Sequence, residues 1–325
     1  MEFLGTLGSF IMTPLYYVIS AVLIGFHRVF GAIFGADSGA AWVLSIIGLT
    51  LVVRTALIPL FVKQIKSSRN MQLVQPRVKE LQKKYAHDRE KLTQETMNLY
   101  KETGTNPFAS CLPLIVQMPI FLSLFRIIDR ASHKQPKGIL TAEDAHNFSE
   151  AKLFGHIPLS DTLLRAEGNV AVIITAIILV LAMTATTFMT QRQLMSKNMP
   201  ADALTGPYAQ QQKMLLYVLP LVFGVGGIAF PIGVLIYWTT SNLWTMGQQF
   251  YVIRNNPAPG TPAFKAKQER DRAKGRNVTE DPLEAAKAAA ESEAGGDADG
   301  PTQRVQPKRQ TRSQRKNKST GKPGQ

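Results

Sequence analysis

One stretch of 23 residues, AAWVLSIIGLTLVVRTALIPLFV at positions 40–62, constrains this chain more than any other. It has the length and apolar character of a helix that crosses a bilayer, yet it contains Arg54. A guanidinium stays protonated, and burying it at mid-bilayer depth costs roughly 3 kcal/mol or more. Arg54 therefore needs a partner or water. Snorkelling to the head groups is the alternative, over about 13 Å of helix to the level of Lys63.

No acidic partner for this arginine is present in the other apolar stretches. Positions 107–128, 169–190 and 214–252 contain no Asp or Glu. An unpaired charge at membrane depth is tolerated where it faces a water-filled cavity lined by protein. We therefore expect a hydrated intramembrane pocket that carries an unneutralised positive charge.

The basic residues are distributed unevenly between the apolar stretches. Residues 63–103 hold 10 Lys and Arg against 5 acids, residues 254–325 hold 16 against 9, and residues 129–168 hold 5 against 6. Basic loops mark the cytoplasmic side of a membrane protein. This predicts that the hairpin at 63–105 and the tail at 255–325 are inside, and that the loop at 129–168 is outside.

These patterns predict an all-α, polytopic membrane protein with three parts. An N-terminal apolar helix occupies residues 1–36, a five-span core with a hydrophilic pocket occupies residues 37–254, and a disordered basic tail follows at 255–325. The expected spans are 40–62, 107–128, 169–190, 214–229 and 232–252. Residues 10–34 are either another crossing or an amphipathic helix in the outer interface. The absence of Lys or Arg before them favours the interface.

Residues 63–105 carry a helical pattern with a polar break. Apolar residues recur at helical spacing from Leu73 to Tyr85, residues 86–90 are polar, and apolar residues return after them. This predicts two helices folded back on each other as a cytoplasmic hairpin.

Polar side chains within the spans are the candidate lining of the pocket. Besides Arg54 we expect Gln117, Thr184, Asn242, Trp244 and Gln248 there, with an interhelical hydrogen bond as the alternative role of Gln117. The chain has a single cysteine, Cys111, and the histidines of the outer loop lack metal-ligand spacing. No metal or other cofactor is expected.

The last 25 residues hold eight Lys and Arg and no acid. Such a tail binds polyanions, either RNA or anionic lipid head groups, and its alternative role is to keep the chain soluble and oriented. The candidate contact residues are Arg309, Arg312, Arg315 and Lys316.

Three blocks of the sequence, in this order and spacing, resemble the signature regions of the YidC/Oxa/Alb family of membrane-protein insertases. They are LTLVVRTALIPLFVKQIKSSRNMQLVQPRVKELQKKY, ETGTNPFASCLPLIVQMPIFLSLF and FPIGVLIYWTTSNLWTMGQQFYVI, within a resemblance that covers about residues 10–254. The resemblance implies a groove open to cytoplasm and lipid and closed outside, with Arg54 as its arginine. It also implies that the hairpin receives the incoming chain, for which the candidate residues are Met71, Gln75, Pro76, Leu81 and Tyr85.

The function that the resemblance implies is insertion and folding of membrane proteins, alone or beside the Sec translocon, without a cofactor. The implied partners are nascent membrane proteins, the Sec translocon, membrane lipid and, through the tail, the ribosome. The implied location is the plasma membrane of an actinobacterium, with the C-terminus in the cytoplasm. A secondary transporter or channel with an intramembrane anion site is the alternative, although the sequence shows no inverted repeat. An enzyme is not expected, because the sequence contains no hydrolase or nucleotide-binding motif.

Overall fold

A computed structural model describes residues 2–106, 112–199, 207–278, 280–284 and 286. The described residues are almost entirely helical, so the protein is all-α, as predicted. The helices are α1 Glu2–Phe34, α2 Gly39–Ala56, α3 Ile58–Lys84, α4 Arg89–Glu102, α5 Leu112–Ser132, α6 Ala142–Glu150, α7 Val170–Asn198, α8 Pro207–Gly227, α9 Ile232–Asn255 and α10 Pro262–Ala273. The described residues also form a two-stranded antiparallel sheet, β1 Lys152–Leu153 and β2 Ile157–Pro158, and a 3-10 turn at Leu163–Arg165.

Three helices in the described part of the chain are long and apolar enough to cross a membrane. They are Met12–Phe34, Gly39–Ala56 and Val170–Asn198, and Leu216–Gly227 is a shorter apolar helix. The five-span core stays a prediction, because α5, α8 and α9 do not meet the same criterion within the described residues.

The main core forms where α1, α2, α5 and α9 meet. Trp42 of α2 is fully buried and stacks on His27 of α1, with 3.6 Å between the ring centroids. It also packs edge-on against Phe148 of α6, with 5.1 Å between the ring centroids. A smaller cluster of Ala176, Met183 and Leu235 joins α7 to α9.

The middle of α1 contacts the segment that follows α5. The backbone N–H of Ile139 donates to Ser20 Oγ at 2.9 Å, and Lys137 Nζ lies 4.4 Å from the centroid of the Tyr16 ring. These contacts join α1 to the loop that is predicted to be outside. The choice between a position in the outer interface and a crossing stays a prediction.

Residues 133–169 fold into a compact unit that we call the cap. Helix α6 begins with a capping box in which Thr141 and Asp144 exchange side-chain to backbone hydrogen bonds. The cap holds the start of α9, since Ile232 N donates to Asp161 O at 2.9 Å and Gly233 N donates to Leu159 O at 3.0 Å. The cap is therefore bonded to the first turn of α9 and packs against the main core.

The predicted span at 40–62 is not one helix. Helix α2 ends at Ala56 and α3 begins at Ile58. Pro59 contributes to the break, because it has no N–H to bond the carbonyl of Thr55, four residues earlier. Helix α3 then continues to Lys84 and turns into α4 through residues 85–88, close to the break predicted at 86–90.

The start of the predicted disordered tail is ordered, which corrects the prediction made from composition. Thr261 caps α10 by accepting from Phe264 N at 3.2 Å, and the Phe264 side chain is buried. Further along, Asp281 accepts from Gly260 N at 2.8 Å, and Leu283 is buried. The four candidate tail residues and Cys111 lie outside the described residues.

Candidate functional site

Arg54 lies in the last turn of α2 and is 8% exposed. Its Nε donates to the hydroxyl of Ser241 on α9 at 3.0 Å, and its Nη2 donates to the same oxygen. A neutral hydroxyl orients the guanidinium and leaves its charge in place. Among the described residues, no carboxylate forms an ion pair with Arg54.

A cavity of about 430 Å³ opens beside this arginine. We call it the Arg54 cavity, and its walls come from α2, α3, α5, α7 and α9. Ten of its sixteen described lining residues have polar side chains, and the others are apolar. The polar lining residues are Arg54, Gln64, Arg69, Gln72, Gln117, Gln191, Asn198, Thr245, Gln249 and Asn256.

The described lining of the Arg54 cavity carries two arginines and no carboxylate. The side-chain carbonyl oxygens of Gln72, Gln117 and Gln249 are buried and have no hydrogen-bond partner among the described residues. Each unsatisfied buried polar group costs about 1–3 kcal/mol. The cavity is therefore suited to water or to a polar segment of another chain that enters it.

An aromatic cluster that includes Phe121, Tyr237 and Trp238 lies beside Gln117 of the Arg54 cavity. Gln117 Nε2 donates to the hydroxyl of Tyr237, which is 4% exposed and lies one turn before Ser241 on α9. The neighbouring rings pack closely, with 4.7 Å between the centroids of Phe121 and Trp238. Gln117 therefore links the polar lining of the cavity to a packed aromatic cluster.

The structure distributes the predicted pocket residues over three places. Arg54 and Gln117 line the Arg54 cavity. Trp244 and Gln248 line a neighbouring space between α3 and α9. Thr184 is in the described lining of neither space, and its hydroxyl donates to Val180 O of the same helix, α7, at 2.8 Å.

Asn242 was also predicted to line the pocket, and its side chain contacts α7. Its Nδ2 donates to Thr187 Oγ1 at 2.8 Å and to Met183 O at 3.2 Å. Asn242 therefore joins α9 to α7. Thr184 and Asn242 are both absent from the described lining of the Arg54 cavity.

The five candidate hairpin residues lie between the middle of α3 and the residue that follows its last turn. Met71, Gln75, Pro76, Leu81 and Tyr85 are half-buried. None of them is in the described lining of the Arg54 cavity, which α3 reaches through residues between 61 and 72. Their role in receiving a client stays a prediction.

The sequence contains an overlooked pattern in the last span that points to this site. Ser241, Thr245 and Gln249 follow each other at intervals of four residues. Residues four apart lie on one face of a helix, and this face of α9 meets Arg54 and the cavity. Gln191 on α7 was also missed, because it lies just beyond the predicted span.

Comparison with known proteins identifies the family. The family described as "60Kd inner membrane protein" matches residues 33–259. A Streptomyces avermitilis protein named "Membrane protein insertase YidC" is 45% identical over 83% of this chain and 64% of its own length. A Tropheryma whipplei protein of the same name is 36% identical over 80% of this chain and 89% of its own.

The chain belongs to the YidC family of membrane protein insertases. Membership confirms the resemblance to actinobacterial members and places the chain among multi-pass membrane proteins rather than enzymes. A Mycobacterium tuberculosis YidC is 32% identical over 74% of this chain and 72% of its own length. The solved structure titled "Active YidC insertase crystal structure with the first transmembrane domain resolved" has a TM-score of 0.45 and 23% identity, covering 72% of this chain and 46% of that chain.

Proposed function

We propose that this protein inserts membrane proteins into the plasma membrane and helps them fold, using the Arg54 cavity as a hydrophilic groove. The observation that carries the proposal is a buried arginine in a polar cavity that contains no carboxylate in its described lining. The relatives are named as membrane protein insertases, which favours this function over an anion transporter or channel.

The groove lowers the barrier that a polar flank meets when it crosses the membrane. A polar segment that enters the Arg54 cavity keeps hydrogen-bond partners and has less hydrocarbon left to cross. The apolar part of the client leaves sideways into lipid, driven by its own transfer free energy. No covalent chemistry is needed for either step.

Arg54 attracts acidic residues of the client transiently. At an effective dielectric constant of about 20, two opposite charges 4 Å apart gain about 4 kcal/mol before desolvation. Desolvation of both groups offsets much of that gain. The contact is therefore strong enough to hold an acidic flank and weak enough to release it.

Helix α3 connects the two parts that handle the client. The part of α3 up to Gln72 supplies Gln64 and Gln72 to the Arg54 cavity, and the hairpin candidates Gln75, Pro76 and Leu81 follow on the same helix. A client received at the hairpin therefore has a continuous helix to follow to the cavity. In this proposal the cavity opens to the cytoplasm, the cap lies outside, and five spans form the core.

The proposed partners follow from the family and from the basic tail. Nascent membrane proteins are the clients, and the Sec translocon supplies some of them. The ribosome binds the tail through Arg309, Arg312, Arg315 and Lys316, whose charge suits RNA phosphates.

Site-specific photo-crosslinking tests this function. A photoreactive residue at Gln191 or Thr245 faces the Arg54 cavity, and one at Leu221 of α8, which is 63% exposed, is the matched control. We expect ribosome-bound membrane-protein chains to crosslink at the two cavity positions and much less at the control. Equal yields at all three positions would contradict a groove that receives clients.

A further inference from the structure

A second cavity, of about 570 Å³, lies between α3 and α9 and is called the α3–α9 pocket. Its lining residues are Ile58, Val62, Ile65, Lys66, Arg69, Leu243, Trp244, Gly247, Gln248, Tyr251, Val252 and Asn256. Several of them face away from the protein, since Val62 is 45%, Leu243 50% and Tyr251 66% exposed. The pocket therefore opens on the outer surface of the helical bundle.

The pocket changes from apolar to basic along its length. On α3 the lining begins with Ile58 and Val62 and ends with Lys66 and Arg69. Ile58 and Arg69 are separated by about 16 Å of helix. On α9 it begins with Leu243 and Trp244 and ends with polar Asn256. The change from apolar to basic is therefore clear on α3, whereas on α9 Gln248 precedes Tyr251 and Val252.

This gradient has the shape of one amphiphilic molecule with a negative head. The described lining contains two cations and no carboxylate. Basic pockets between membrane helices on the cytoplasmic side bind the head groups of anionic lipids. The apolar end is formed on α3 by Ile58 and Val62, just before Lys63. It offers the surface that an acyl chain covers.

We propose that the α3–α9 pocket binds an anionic phospholipid. Its phosphate lies at Lys66 and Arg69, and an acyl chain lies against Ile58, Val62 and Trp244. Arg69 also lines the Arg54 cavity, so the bound lipid forms part of the boundary between that cavity and the membrane. The proposal is independent of the proposed insertase function.

Tryptophan quenching by brominated lipid tests the proposal on the full chain. The protein is reconstituted in phosphatidylcholine vesicles with increasing fractions of brominated phosphatidylglycerol or brominated phosphatidylcholine. The signal of Trp244 is the difference between wild type and Trp244→Phe. We expect half-maximal quenching at a mole fraction of brominated phosphatidylglycerol at least fivefold below that of brominated phosphatidylcholine, since each basic residue near an anionic surface contributes about 1 kcal/mol.

Two pairs of variants separate a specific site from general contact with lipid. Lys66→Gln should reduce the preference for phosphatidylglycerol about fivefold, whereas Lys63→Gln, which changes a nearby lysine outside the described lining, should keep it. Gly247→Leu should remove the preference by filling the pocket, because no heavy atom lies within 4 Å of a Cβ placed there. Gly226→Leu, on α8, has equally open surroundings and should have no effect.

Three results would overturn the proposal. Equal quenching by the two lipids would mean that Trp244 meets only bulk lipid or that another apolar segment occupies the pocket. Equal effects of Lys66→Gln and Lys63→Gln would mean that surface charge in general attracts the lipid. An unchanged preference in Gly247→Leu would place the lipid outside the pocket.

Discussion

The contact between Arg54 and Ser241 makes a measurable prediction about stability. Two guanidinium N–H groups donate to one hydroxyl, and the two residues are 8% and 4% exposed. A hydrogen bond to a charged group contributes about 1.5–3 kcal/mol, and a buried donor without a partner costs a similar amount. We therefore expect Ser241→Ala to lower the free energy of unfolding by about 1.5–3 kcal/mol.

A double-mutant cycle isolates this contact from other effects of the substitutions. The free energy of unfolding is measured in mixed micelles, by loss of helical circular dichroism, for Arg54→Met, Ser241→Ala and the pair. We expect a coupling of about 1.5–3 kcal/mol. Thr245 is the control partner, because its hydroxyl donates to Ser241 O at 2.9 Å, and the Thr245→Val cycle with Arg54→Met should be additive within about 0.5 kcal/mol. Additivity of Arg54 and Ser241 within the same limit would refute the contact.

Three further predictions concern the cap and the tail. Gly39→Ala should destabilise the protein by about 1–3 kcal/mol in thermal unfolding, because its Cβ would lie 2.4 Å from the backbone of β1, and Gly226→Ala should not destabilise it. Burial raises the pKa of the Asp161 carboxyl in the folded protein. The stability that the protonated carboxyl contributes is present below the pKa of the unfolded chain and is lost as pH rises through the folded pKa. Asp161→Asn should therefore raise stability slightly at pH 7 and not at pH 3. Deleting residues 301–325 should weaken co-sedimentation with ribosomes and leave post-translational insertion intact, and unchanged co-sedimentation would remove the ribosome from the proposed partners.

Much of the site could be predicted because a charge in an apolar run imposes a strong constraint. Arg54 without an acid in the other spans leaves few physical solutions, and the structure has a polar cavity around it. The pairing partners could not be predicted in the same way. Periodicity shows which residues share a face of one helix, but the rotation of that helix against its neighbours depends on packing. Asn242 therefore bonds α7, while Ser241, one residue earlier, meets Arg54.

Two helix boundaries were predicted wrongly, although single residues in the sequence indicate them. Average hydropathy and composition do not show these residues. Pro59 lies inside an apolar run, where hydropathy alone predicts a continuous span, and it divides α2 from α3. The tail from residue 255 is rich in Pro, Gly and charge, yet Thr261, Pro262 and Phe264 form the start of a capped helix. The fold of the cap depends on contacts such as Phe148 against Trp42, which join residues more than 100 positions apart.

The central claim is that the protein inserts membrane proteins through a polar cavity whose positive charge, on Arg54, attracts acidic residues of the client. The most direct test is reconstitution of the purified chain in liposomes, scored by protease protection of a short single-span client with an acidic translocated tail. Wild type and Arg54→Lys should insert the client, and Arg54→Ala should lose most of the insertion while still inserting a matched client with a neutral tail. Equal insertion of the acidic client by Arg54→Ala and wild type would contradict the claim.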